Sequence, residues 1–110
     1  MLKRTIYFVF AAVLLTFSGC SSDLDKLNQV CEDIEKASLM TDDCERMAKA
    51  LKPATEDFNA AIARMNTTVP SESEKPYYID ATSICLRHYL EIETGTCGKH
   101  PAVAPILSSR

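Results

Sequence analysis

The sequence predicts an all-α fold, a small three-helix bundle stapled by disulfides, and three observations carry that expectation. Apolar residues recur at spacings of three and four along three separate segments, the period of a helix with one buried stripe. No run alternates apolar and polar residues as a half-buried strand would. Beyond residue 20 the chain has four cysteines and only two glycines, Gly95 and Gly98.

The first helix is expected over residues 23–37. Ser22 and Asp25 stand three apart like a capping box, and Leu24, Leu27, Cys31 and Ile34 then form one stripe. Thr41 is the expected start of the second helix, with Asp42 and Asp43 in a first turn that favours negative charge. Cys44, Met47, Leu51, Ala54, Phe58, Ile62 and Met65 hold helical phase from there to about residue 66. Pro53 falls inside this run without breaking its phase. That favours one helix kinked near Pro53, with a split into two as the close alternative.

Residues 67–79 read as a thirteen-residue surface loop containing Pro70 and Pro76. At its end the apolar knot of Tyr77, Tyr78 and Ile79 reads first as a lid on the core and second as a candidate partner surface. Asp80 is the expected cap of the third helix. Asp80, Ser83, Arg87, Glu91 and Thr94 form a polar stripe there, flanked by Ala81, Ile84, Cys85, Leu86, Tyr89, Leu90 and Ile92. A helix this apolar is expected to be the most buried of the three. Gly95 is placed to end it. The helical domain thus spans 23–100, and residues 101–110, with Pro101 and Pro105, read as an irregular tail.

Four cysteines allow three connectivities. Cys85 lies nine residues before Thr94, which separates it from Cys97 by roughly 13 Å or more along the helix axis. A disulfide needs Cα atoms about 4.4–6.8 Å apart. Linking Cys31 to Cys44 across a hairpin is feasible but leaves Cys85 and Cys97 to pair with each other. An up-down-up bundle sets the first and third helices side by side and parallel, which favours Cys31 with Cys85 and Cys44 with Cys97.

The N-terminus reads as an address. Lys3 and Arg4 precede a twelve-residue apolar core, residues 6–17, and the small residues Ser18 and Gly19 lead into Cys20. As a helix the core would be about 18 Å long, too short for a hydrocarbon layer of about 30 Å. The junction Phe17-Ser18-Gly19-Cys20 resembles the lipobox of bacterial lipoproteins, with Phe17 where Leu is usual. That resemblance implies removal of residues 1–19 as a signal peptide and acylation of Cys20, including palmitate-type chains. Residues 20–22 are then the lipidated cysteine and a short tether. Ser21, in place of Asp, implies the outer membrane facing the periplasm in an organism with enteric-type sorting. An ordinary signal peptide cut nearby would instead leave Cys20 as an odd thiol.

Removal of the signal peptide takes Lys3 and Arg4 with it, so twelve bases become ten against fifteen acids and the net charge moves from −3 to −5. Eight acids fall between Asp23 and Glu45 against Lys26 and Lys36. A nucleic-acid partner is not expected, since no basic stripe or aromatic-basic interleaving exists. An enzyme is not expected either. No glycine-rich elbow surrounds a serine, no phosphate-cradling loop is present, and Glu91/Glu93 and Asp42/Asp43 read as surface and helix-start acids. Cys85, His88, Cys97 and His100 form a Cys-x2-His-x8-Cys-x2-His pattern, whose donor set would suit zinc or a soft copper ion. Disulfides in an oxidising compartment are the stronger reading for those cysteines, and no cofactor is expected.

The function expected is that of a membrane-anchored, non-enzymatic module. It would touch the bilayer through acylated Cys20 and bind a protein partner as an accessory of the envelope. The alternative is an immunity- or exclusion-type lipoprotein that neutralises a toxin or competing element, for which an acidic face steering toward a basic partner is apt.

Overall fold

The computed structural model describes residues 22–110. The expected signal peptide, Cys20 and most of its tether lie outside the described residues. Four helices follow in order: α1 (Ser22–Ser38), α2 (Cys44–Thr67), α3 (Lys75–Thr94) and a short α4 (Ala104–Ser108). There is no strand among the described residues.

α1 is the central element, packed along both α2 and α3. Its buried face, Leu27, Val30, Cys31, Ile34 and Ala37, is wide enough to serve two neighbours. The opposite face carries charge and stays in water. α2 and α3 hardly approach each other directly. They meet through long side chains. The rings of Phe58 and Tyr89 lie 5.4 Å apart, and the hydroxyls of Thr55 and Tyr89 share a buried hydrogen bond of 2.7 Å. The C-terminal segment fills the remaining gap. Val103 and Leu107 are buried, the Asn59 amide donates to the Ser109 carbonyl at 3.0 Å, and Arg110 lies over the Tyr89 ring.

The direction of the helices is up-down-up. Arg64, late in α2, pairs with Asp23 at the start of α1 at 3.2 Å, so these two are antiparallel. Cys31 joins Cys85 at a Cα separation of 4.7 Å, with His88 Nε2 and Glu35 3.3 Å apart one turn further on, so α1 and α3 are parallel. Cys44, the first residue of α2, joins Cys97 just past α3 at a Cα separation of 5.3 Å. Both pairings are those favoured by the parallel arrangement.

α2 runs unbroken through Pro53, so the split does not occur. Proline removes one backbone donor, and the exposed position of Pro53 leaves the facing carbonyl open to solvent. Other boundaries differ from the sequence expectation. Asp43 caps α2 in place of Thr41, accepting from the Arg46 amide at 3.0 Å. Ser22 is already within α1. α3 begins at Lys75, so Asp80 lies inside the helix and the loop shrinks to residues 68–74. Pro76 sits in the first turn, where the missing amide donor costs nothing. The tail is not irregular. Pro105 occupies the same first-turn position in α4, which inserts Leu107 into the core. Gly98 is required by contact and not by dihedral angle, because a Cβ there would run into the backbone carbonyls of Glu93 and Ile92.

Burial pushes the Tyr89 phenol above its ordinary pKa of 10.0, against the opposing pull of the Thr55 hydrogen bond and the Arg110 charge. A folded-state value above the unfolded one means stability is complete below pH 10.0 and falls as pH rises through the folded value.

Two predictions follow from this core. Each disulfide closes a loop of more than fifty residues. Cys31→Ala with Cys85→Ala, or Cys44→Ala with Cys97→Ala, is expected to lower unfolding stability by about 4 kcal/mol in urea titrations. In a non-reduced tryptic digest Lys36 and Arg87 separate the four cysteines, and recovery of a Cys31–Cys44 linked pair would refute the topology. Separately, Thr55→Val and Tyr89→Phe are each expected to cost about 1–3 kcal/mol by orphaning a buried hydroxyl. The double variant should lose less than the sum of the two, and Tyr89→Phe should flatten the alkaline fall in stability.

Candidate functional site

The helical register of α3 determines what it offers to solvent. Tyr78, Ala81, Cys85, Tyr89 and Ile92 face inward at spacings of three and four. The polar stripe of Asp80, Ser83, Arg87 and Glu91 lies outward. On one flank of that stripe Ile79, Leu86 and Leu90 recur at intervals of seven and four, so they share a face. On the other flank Tyr77 and Ile84 are seven apart. All five are exposed, from 44% at Ile84 to 64% at Tyr77 and Ile79. The expectation that α3 is the most buried helix therefore fails. Its apolar residues exceed what one bundle contact can cover, because only α1 runs along it closely.

The apolar knot divides for the same reason. Tyr78 is buried and plays the expected lid role, while Tyr77 and Ile79, on either side of it in the helix, point away from the core. The Tyr78 phenol is pushed up from its ordinary pKa by burial, reinforced by the negative charges of Asp23 and Glu74. Of the three residues named as a candidate partner surface, two are available and one is not.

A groove of about 380 Å³ lies between the start of α1 and the later part of α2. Its floor is Leu27, Val30, Ala61 and Met65, and Asp23, Lys26, Asp57 and Arg64 are among the charged residues at its rim. It exists because the buried run of α2 ends at Phe58, and Ala61, Ile62 and Met65 beyond it are only half covered. The core is thus dense toward the Cys44–Cys97 end and looser toward the start of α1.

The Cys/His pattern is not assembled as a metal centre. The sulfurs of Cys85 and Cys97 are committed to Cys31 and Cys44. His88 lies between Glu35 and Glu91, with ring nitrogens 3.3 and 3.4 Å from their carboxylates, and His100 accepts from the Ala102 amide. Among the described residues no three His, Cys, Asp or Glu side chains stand together to hold a metal ion. Nor is any described helix long and apolar enough to cross a membrane.

The exposed face of α3 was half visible in the sequence. Its polar stripe and apolar flanks could be read from spacing, but which flank a neighbour covers depends on tertiary packing. No protein-family model, curated protein or solved structure matches the chain.

If the outer flank of α3 is surface and not core, Leu86→Ser with Leu90→Ser should leave stability within about 0.5 kcal/mol per site. Leu51→Ala, at a fully buried position, should cost about 2–5 kcal/mol. Urea midpoints for the two variants make the comparison.

Proposed function

We propose that this chain is a lipid-anchored, non-enzymatic protein-binding module of the bacterial envelope, and that the Leu86 and Leu90 flank of α3 is its partner surface. The supporting observation is that flank itself. It holds two large aliphatic side chains, 45% and 57% exposed, on a helix cross-linked at its middle and just past its end. Surface leucines standing singly are ordinary. A register-matched row beside a charged stripe on a rigid helix has the form of a helix-face interface, with apolar anchors and a polar rim. The adjoining Arg87 and Glu91 would set the partner's register. Pre-organisation by the cross-links reduces the ordering cost of association.

The acidic balance of the domain supports a partner with a neutral or basic complementary face, since like charge across an interface slows encounter. The anchor reading rests on the lipobox-like junction at Cys20 and on the adjacency of that cysteine to α1.

The test is site-specific photocrosslinking in the native envelope, with the reactive group at residue 90 and, as a control, at the exposed Lys52 on α2. A discrete adduct from residue 90 that is absent from residue 52 is expected. Leu86→Lys with Arg87 and Glu91 left intact should weaken partner capture by about tenfold or more. Identical adducts from both positions would remove the α3 flank as the interface, and a Cys20→Ser control separates lipid-dependent contacts from direct ones.

A further inference from the structure

The two ends of the bundle differ in what they expose. Because α1 and α3 are parallel and α2 runs antiparallel to α1, one end gathers the start of α1, the connection at residues 68–74 and the start of α3. The groove lined by Asp23, Thr68 and Tyr78 together confirms that these three segments meet. Val69, Tyr77 and Ile79 belong to this end and are 68%, 64% and 64% exposed. At the opposite end, among the described residues, Leu39 is the one large apolar side chain so exposed.

The chain itself says what lies beside this end. α1 begins at Ser22, and Cys20 is two residues earlier, so the two Cα atoms are at most about 7 Å apart. We infer that the end of the bundle formed by the first turns of α1 and α3 and the 68–74 connection rests in the headgroup zone of the bilayer, with Val69, Tyr77 and Ile79 inserted. This rests on the reading of Cys20 as the lipidated residue, and adds to it an orientation and a second contact with lipid.

The chemistry of the end fits a neutral interface. Tyrosine has an apolar body and a polar tip and suits the boundary between hydrocarbon and water. The nearby charges do not form a basic patch, since Lys75 is paired with Glu72 at 2.6 Å and Arg64 with Asp23 at 3.2 Å. Insertion is therefore driven by apolar burial and not by attraction to anionic lipid. Interfacial side chains reach about 5–10 Å into the boundary layer. Leu90 lies eleven residues beyond Ile79, about 16 Å along the helix, and stays in water with the rest of the partner surface.

The chain has no tryptophan, so a single introduced one reports without background. Lipidated protein carrying Val69→Trp, Tyr77→Trp or Leu90→Trp is reconstituted into zwitterionic phosphatidylcholine vesicles, with and without bromine on the acyl chains. All three positions are exposed, and circular dichroism checks that each variant folds. Tryptophan at 69 and 77 should shift to the blue and lose most of its emission to brominated lipid, while tryptophan at 90 keeps its own. Quenching at 90 as strong as at 77 would overturn the end-on orientation. Unquenched emission at 69 and 77 on protein shown by mass spectrometry to be acylated would overturn the lipid contact alone. That result includes a blue shift without quenching, as a second copy covering the face would give. An unacylated Cys20 would sink the anchor reading and this inference with it.

Discussion

The parallel pairing of α1 and α3 is the constraint from which the rest of the molecule follows. Two parallel neighbours cannot be joined by a tight turn, so the chain needs a full-length element to return, and α2 supplies it with 24 residues. The Cys31–Cys85 bond holds the pairing at mid-height, and its consequences are topological. The first residues of α1 and α3 are brought to one end, and the end of α3 is brought beside the start of α2. Only in that arrangement does Cys97 meet Cys44. A hairpin-linked alternative would have paired cysteines near in sequence and left the α1–α3 contact to packing alone.

The second organising feature is the gap that this pairing leaves between α2 and α3. Tyr89 occupies it completely, buried to 0% exposure, and the position imposes a polar problem because its hydroxyl goes in with the ring. Thr55 solves it from the facing helix. The ring then meets Phe58 in a tilted contact and the Arg110 guanidinium over its face, and Arg110 also meets Glu93 at 3.1 Å. That network explains why the last residues are ordered against the bundle. They complete the core with Val103 and Leu107 and do not trail from it.

Most of this architecture was legible in the sequence, and the exceptions share a cause. The helical phase through Cys44, Met47, Leu51 and Phe58 specified α2 despite Pro53, because a proline on the solvent side of a packed helix costs a hydrogen bond without moving the buried stripe. The cysteine spacing, taken with helix directions, specified the disulfides. Pro76 and Pro105 were misread because proline breaks a helix from within but opens one from its first turn, and sequence spacing does not say which side of a boundary it occupies. The cap at Asp43 in place of Thr41 is the same ambiguity between adjacent oxygen-bearing side chains. The half-covered face of α3 was out of reach for a different reason. Its inner and outer flanks are equally apolar, so composition could not reveal that only one has a neighbour.

That last point bears on why so small a domain leaves Leu86 and Leu90 in water. A chain of this size buries too small a fraction of its surface for apolar packing alone to give a wide margin of stability. The expected response is to bury every large apolar side chain. Two cross-links closing long loops change that requirement, since they stabilise by restricting the unfolded chain and are indifferent to which residues lie outside. The folded state can then hold apolar side chains on an outer face without relying on them. In a chain without the cross-links, a rotation of α3 that buried Leu86 would compete with the observed register. With Cys85 fixed to Cys31, a rotation of α3 that buried Leu86 would pull the bond apart. The disulfide framework is therefore what keeps the apolar flank facing outward, and any function of that flank depends on it.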